Sequence, residues 1–189
     1  MKKQNNFQQA KKKQLLKIDK SSIGSWDSKI KKLCGKLNKK KEYYTTSSCA
    51  GRIVLIKGLD VKARGVFLFR THDKISLKEI KKALVSVGKK YEGLVEFQQT
   101  TCIMHVACKD LKSAQALVGK ANLSGWKHSG IISVKRNIVE LHSTEKISFP
   151  IMNNGKVLVD DDFLKIIVRE ANKKLERAWE KIERLEKLM

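Results

Sequence analysis

Acidic residues are scarce in this sequence. Only 19 Asp and Glu stand against 41 Lys and Arg in 189 residues, a formal charge of +22. So large an excess of one sign points to a polyanionic partner. RNA is the reading favoured here, over an anionic membrane surface or a lysine-rich thermostable surface. Long apolar runs are missing too. None approaches the ~20 residues that a bilayer span needs, and no lipidation motif is evident, so no membrane partner is expected. The four cysteines, Cys34, Cys49, Cys102 and Cys108, form no C-x-x-C pair. With no signal peptide recognised, a cytoplasmic protein with free thiols is expected. The four histidines, His72, His105, His128 and His142, show no metal-ligand spacing with those cysteines. No metal is expected, with a structural zinc as the minor alternative. G-x-G occurs nowhere, which removes the dinucleotide-binding fingerprint. Walker loop and nucleophile elbow are absent as well.

The charge is unevenly spread. Residues 1–46 carry 14 lysines against three acidic groups, and residues 47–150 carry 18 basic against eight acidic groups. Residues 151–189 are nearly balanced, with nine against eight. With 41% apolar residues the chain can bury a core. One domain is expected over 1–189, with a basic helical segment at 1–42, an α/β core at 43–159 and a C-terminal helix at 160–189.

Periodicity supplies the elements. Phe7, Ala10, Gln14, Leu15 and Ile18 share one side of a weakly amphipathic helix. Asp19 to Ser25 reads as a turn, and Ser25 or Asp27 as the N-cap of a second helix. In that helix Trp26, Ile30, Leu33, Cys34 and Leu37 face a core. Lys29, Lys31, Lys32, Lys36, Lys39, Lys40 and Lys41 crowd the remainder, as a phosphate-attracting shelf or as a solvated face. Strands are expected at Ile53–Lys57, Val66–Arg70, Gly93–Gln98, Cys102–Cys108, Ile131–Val134 and Ile138–Leu141. Helices are expected at Leu77–Ser86 and from Asp110, as cap, through Ala121. Ile147–Met152 and Lys156–Val159 suit a hairpin across Asn153-Asn154-Gly155. Phe163, Ile167, Ala171, Leu175, Ala178, Ile182, Leu185 and Met189 line one face of a long last helix, supported by Glu170–Lys174, Glu180–Arg184 and Glu183–Lys187. Its stripe suits packing on the sheet, which favours a monomer over a dimer. The fold class is α+β: tandem β-α-β units in a mixed or antiparallel sheet with helices packed on it, and no Rossmann fold.

The densest chemistry lies in Tyr43–Arg52, Tyr-Tyr-Thr-Thr-Ser-Ser-Cys-Ala-Gly-Arg. Its hydroxyls can donate and accept, Gly51 permits a bend or a close approach, and Arg52 offers a fork for phosphate or carboxylate. An anion-binding turn ahead of a buried strand is one reading, and an ordinary Ser/Thr-rich loop is the other. Asp27 either caps its helix or orients a ligand amine. His105, inside an otherwise apolar strand, is either a base near neutral pH or a structural histidine. Trp126 either stacks on an unstacked base or forms a lid over the core.

Tyr43–Arg52 also resembles the signature of the tRNA wybutosine-synthesising protein 3 family. Asp19-Lys20-Ser21, Gly24-Ser25 and Asp27 match its lead-in. Thr71-His72, Met104-His105-Val106, Cys108, Asp110-Leu111, Ala114-Gln115, Ser124 through Ile131 and Ala171-Asn172 follow in family order. The resemblance implies an S-adenosylmethionine-dependent enzyme that methylates N4 of a tricyclic, guanosine-derived base beside the anticodon of tRNA-Phe, contacting the anticodon stem-loop. It implies His105 as catalytic base and His72 as second candidate. Ser47, Ser48, Arg52, Ser129 and Gly130 would hold the methyl donor, and Cys49, Gly51, Trp126 and Asp27 would contact the substrate. Cys49 as a nucleophile is not required, because methyl transfer to nitrogen needs no covalent enzyme intermediate.

Three stretches depart from the family pattern. Thr100-Thr101-Cys102 replaces an acidic-Pro-aromatic step, His142 stands where the family has Arg before Ser-Thr, and Lys146-Ile147-Ser148 replaces a Gly-hydrophobic-acidic run. The alternative function is therefore a paralogue that binds tRNA without this methyl transfer, or acts on a differently decorated base.

Overall fold

The computed structural model describes residues 2–16, 27–58 and 65–189, with side chains from residue 6 onward. The expected turn at Asp19–Ser25, together with Ile18 and Trp26, lies outside the described residues. In chain order the elements are α1 (Lys2–Leu15), α2 (Ser28–Lys39), β1 (Tyr43–Cys49), β2 (Arg52–Lys57), β3 (Phe67–Thr71), α3 (Leu77–Gly88) and β4 (Leu94–Thr100). They continue with β5 (Ile103–Cys108), α4 (Leu111–Leu123), β6 (Gly130–Ser133), β7 (Ile138–His142), β8 (Ile147–Asn153), β9 (Lys156–Val157) and α5 (Asp161–Leu188). The α+β class is as expected. The strands form two sheets rather than a common one, and every pairing in them is antiparallel.

The chain divides into two compact units. The first comprises residues 1–50, 102–144 and 178–189, and the second residues 51–101 and 145–177. In the first, the sheet order is β1-β5-β7-β6. The chain runs β5–α4–β6, and β7 lies between the two strands, antiparallel to both. β5 and β6 are therefore parallel but separated, a split β-α-β arrangement. The second unit repeats the device. Its order is β3-β2-β4-β8-β9, the chain runs β3–α3–β4, and β2 separates the parallel pair. The tandem β-α-β reading thus holds, with an inserted strand in each unit that periodicity alone does not reveal.

In the first unit, side chains three and four apart on α2 (Ile30, Leu33, Cys34, Leu37) have no solvent exposure. They join Met104 and Val106 of β5, Val139 and Leu141 of β7, Leu117 of α4 and Ile182 of α5 in one core. Asp27 caps α2 by accepting from Lys29 N at 3.1 Å, and Asp110 caps α4 by accepting from Ser113 N at 2.8 Å.

In the second unit, Ser76 and Glu79 form a reciprocal capping box on α3. Phe97, Phe149 and Phe163 stand in a chain of rings with 5.4 Å between successive centroids. Asn172 clasps the segment before α3: its Oδ1 accepts from Ile75 N at 3.0 Å and its Nδ2 donates to Ile75 O at 2.8 Å. The hairpin joining β8 to β9 turns on Asn154 and Gly155, at φ 47° and 74°, the mirror-image turn that strand twist favours.

Two expectations for α5 need correction. In its first turns Leu164 and Val168 are buried, whereas Phe163 is 39% exposed, so the apolar stripe enters one residue later than expected before joining Ala171, Leu175, Ala178, Ile182 and Leu185. Glu170 pairs with Lys173 and Arg169, each at 3.3 Å, instead of Lys174. Glu180 and Arg184 pair at 3.1 Å as expected.

Candidate functional site

Tyr43–Cys49 is a strand, not the turn that its hydroxyl content suggests. Strand side chains alternate between faces, so the run is divided. Thr45 turns inward: its N–H donates to Asn38 Oδ1 at 2.8 Å and its hydroxyl accepts from Asn38 Nδ2 at 3.0 Å. Ser48 lies on the same side, where its hydroxyl accepts from the Cys34 thiol at 3.5 Å. A bulge between Thr45 and Ser47 resets the alternation. Ser47 and Cys49 consequently share the opposite face with their partners on β5, His105 and Ile103. The turn itself is Ala50-Gly51, with Gly51 at φ 95°. Ala50 N donates to Asp27 Oδ2 at 3.2 Å, so Asp27 ties the turn to α2 as well as capping it.

His105 occupies the middle of that open face. Its Nδ1 lies 2.7 Å from Ser47 Oγ and its Nε2 lies 2.8 Å from Glu140 Oε2. All three come from neighbouring strands, where Ser47 and Glu140 are the direct cross-strand partners of His105. An ionised carboxylate only accepts, so Nε2 carries the hydrogen. In the neutral ring Nδ1 is then the bare acceptor, and Ser47 donates to it. The imidazole and carboxylate are 28% and 33% exposed, and Ser47 is exposed. The sequence singles out Ser47 and His105 but not Glu140. The signal for Glu140 is its solitary charge in Ile138-Val139-Glu140-Leu141, an otherwise apolar strand.

Trp126 and Ser129, also expected at the site, make hydrogen bonds that hold the fold. Trp126 has no solvent exposure, and its indole N–H donates to Lys181 O at 3.1 Å. It leaves no ring face for a base and belongs to the core. Ser129 donates to Trp126 O at 2.7 Å and accepts from His142 N at 3.2 Å, closing the turn before β6. Gly130 pairs with Glu140, and a Cβ there would meet nothing within 4 Å. The rings of His128 and His142 stack 6.1 Å apart. Burial pushes the Cys34 thiol up to about 11 and the Cys108 thiol up to about 12, which suits packing and not nucleophilic chemistry.

In the second unit Arg52 lies 4.8 Å over the Phe67 ring, and Arg70 approaches the same ring at 5.5 Å. Arg52 Nε is buried without a hydrogen-bond partner among the described residues, and neither guanidinium has a carboxylate partner among them. Phe67 is 42% exposed. Two cations on one ring, neither paired with a carboxylate among the described residues, have the chemistry to receive an anion. Sequence reading finds Arg52 and misses Phe67 and Arg70, which β3 places opposite Ile56 and Val54 of β2. His72 follows β3 directly and is half-buried. A cavity of about 440 Å³ between β3 and α3 is lined by Phe69, Arg70, Ile75, Glu79, Lys82 and Ser86 among others, so it carries an acidic group beside its two cations.

Set against known proteins, the chain matches methyltransferase TYW3 over residues 1–189. It is 37% identical over 186 residues to the tRNA(Phe) 7-((3-amino-3-carboxypropyl)-4-demethylwyosine(37)-N(4))-methyltransferase of Thermococcus sibiricus, covering 96% of this chain and 93% of that one. Similarity to the tRNA wybutosine-synthesizing protein 3 homolog of Danio rerio is 34% over 186 residues, covering 95% of this chain and 72% of the relative. The solved structure of the PH1069 protein from Pyrococcus horikoshii superposes with a TM-score of 0.87 at 34% identity, over 100% of this chain and 98% of that one.

Proposed function

The chain belongs to the methyltransferase TYW3 family, and from that membership we propose that it transfers a methyl group from S-adenosylmethionine to N4 of a wyosine-type tricyclic base beside the anticodon of tRNA-Phe. The observation that carries this reading is the 37% identity, over 96% of the chain, to a relative whose name states that reaction. The enzyme works as a monomer in the cytoplasm, without a metal.

The donor supplies a methyl group already activated by its sulfonium charge. Arg52 suits the donor's carboxylate, or a tRNA phosphate, because its guanidinium is prepositioned on Phe67 and its Nε has no hydrogen-bond partner among the described residues. Phe67 keeps Arg52 and Arg70 in place by cation–π contact. His105 receives the proton released at the acceptor nitrogen, with His72 as the alternative base. Positioning supplies much of the acceleration, on the order of 7–11 kcal/mol in favourable cases.

RNA affinity comes from the basic surface. Lys31, Lys32 and Lys39 of α2 are exposed and lack a carboxylate partner among the described residues. Lys36 is engaged with Glu186 at 3.4 Å, and Lys29 sits 4.5 Å over the Trp179 ring. Phosphate contacts of this kind set the register on an anticodon stem without reading sequence.

The test is an assay with purified protein, S-adenosylmethionine and tRNA-Phe carrying the unmethylated tricyclic base, with nucleosides read by mass spectrometry. Gain of one methyl on that base is the expected result. Binding of the tRNA with no methyl gain, in conditions where a control relative is active, would establish a non-catalytic or substrate-shifted paralogue instead.

A further inference from the structure

Ser47, His105 and Glu140 lie in one hydrogen-bonded line across β1, β5 and β7, at 2.7 and 2.8 Å. We propose that this line is a proton relay in which Ser47 Oγ, not the imidazole, meets the acceptor base, and in which Glu140 is a positioning residue for His105. The proposal rests on the methyltransferase reading and specifies how its proton leaves.

Both ring nitrogens of His105 are engaged. A carboxylate accepts, so the tautomer that suits Glu140 carries its hydrogen on Nε2 and leaves Nδ1 to receive the Ser47 hydroxyl. A base approaching the open face therefore finds no free nitrogen lone pair on the imidazole. It finds Ser47 Oγ, which is exposed and keeps acceptor capacity while it donates. The two sides of the line differ as a relay requires. At one end a neutral hydroxyl can accept and release a proton at once. At the other a carboxylate fixes the tautomer and stabilises an imidazolium. Gly130, the partner of Glu140 on β6, leaves open space beside the carboxylate. Thr46, the extra residue of the bulge, is exposed, and its hydroxyl donates to His105 O at 3.3 Å, which holds β1 against β5 where the relay crosses. Without the bulge, strict alternation would turn Ser47 to the core side with Thr45.

The acceptor nitrogen bonds to the methyl carbon as the donor's S–CH₃ bond breaks, and the donor leaves as a neutral thioether. The acceptor's N–H proton passes to Ser47 Oγ while the Ser47 proton passes to His105 Nδ1. Serine ends as a hydroxyl, and the imidazolium, paired with Glu140, returns its proton to water after product release. No covalent bond to the enzyme forms.

Two readouts test this on the full chain. With ¹⁵N-labelled histidine, the imidazole shifts of His105 at a pH where the ring is neutral report which nitrogen carries the proton. The wild-type protein should show the Nε2–H form, and Glu140→Ala should show a mixture of tautomers. In single-turnover assays with donor and tRNA, Ser47→Ala should lose on the order of 10²-fold in rate, with donor and tRNA binding unchanged, and Ser47→Thr should recover most of it. Wild-type rate in Ser47→Ala, or an unchanged tautomer in Glu140→Ala, would overturn the relay while leaving the methyltransferase reading standing. If the wild-type enzyme transfers no methyl to the tricyclic base, the functional reading falls first, and the relay falls with it as a device of that reaction. A rate loss in Ser47→Ala that Ser47→Thr does not recover, accompanied by weaker tRNA binding, would make Ser47 a binding contact and also overturn the relay.

Discussion

His105 Nε2 and Glu140 Oε2 meet at 2.8 Å across the β5–β7 ladder, where the two residues are direct register partners. The pair is about one-third exposed on each side, so solvent screens it, and its contribution to stability is small, of the order of 0–1 kcal/mol. Glu140→Gln should therefore melt close to the wild type while altering methyl transfer. Calorimetric melting beside the single-turnover assay checks this. A large loss of stability would mean that the pair holds the sheet together rather than orienting a ring.

Arg52 differs, because its Nε is buried without a hydrogen-bond partner among the described residues. An unsatisfied buried donor costs folding energy, roughly 1–3 kcal/mol for a polar group left without its hydrogen bond. Arg52→Met keeps length and apolar contact with Phe67 but removes the orphan donor. The variant should be as stable as the wild type, or more so, and should bind its anion at least ~10-fold more weakly, the effect of losing about 1.4 kcal/mol. Titration with S-adenosylmethionine and with tRNA separately decides which anion Arg52 serves. If neither binding changes, the guanidinium is a structural cation on an aromatic ring and nothing more.

These two residues also mark how far sequence carries. Composition and spacing lead to a basic α+β chain, its element order, the caps at Asp27 and Asp110, and His105 as a candidate base or structural histidine. They mislead at Tyr43–Cys49, because local Ser/Thr density suggests a turn while cross-strand pairing with β5 makes a strand. That error matters for function, since a turn would aim Ser47 and Ser48 together, whereas the strand sends them to opposite faces. Arg70 escapes the same reading, and Glu140 shows only as a lone charge in an apolar strand, because each acquires its meaning from a partner on another strand, across register that no local pattern encodes. Trp126 looks like a stacking platform because tryptophan serves both uses, and only full burial distinguishes them.

Trp126 then yields a prediction of the opposite kind from Ser47. It has no exposure and spends its N–H on Lys181 O. Trp126→Ala should cost about 3–5 kcal/mol in stability through lost burial and a residual cavity. At temperatures where the variant remains folded, tRNA affinity should stay within about twofold of the wild type, well under the 1.4 kcal/mol that a tenfold change requires. Denaturant melts and filter-binding titrations supply both numbers. A selective loss of tRNA binding in a fully folded variant would return Trp126 to the substrate surface.

The buried thiols set the alkaline limit of the fold. Burial raises Cys34 from 9.0 to about 11 and Cys108 from 9.0 to about 12. Burial likewise raises Tyr43 from 10.0 to about 12, with its hydroxyl on Ser113 O at 3.1 Å. Each group stays protonated in the folded state over a range where the unfolded chain has already released its proton. The unfolded state then binds fewer protons, so stability must fall as pH rises. The contribution is complete below about pH 9 and is lost between there and pH 11 to 12. For Cys34 alone the two-unit shift corresponds to about 2–3 kcal/mol. Cys34→Ala removes one ionisable group and should flatten that limb. It should also lower stability at neutral pH, because Cys34 fills a core position on α2 with no exposure. Urea melts of both proteins from pH 7 to 11 distinguish the two effects: the stability difference should narrow as pH rises. Parallel pH profiles would mean that Cys34 ionises at the same pH folded and unfolded, and that the alkaline limb belongs to other buried groups such as Tyr43 and Cys108.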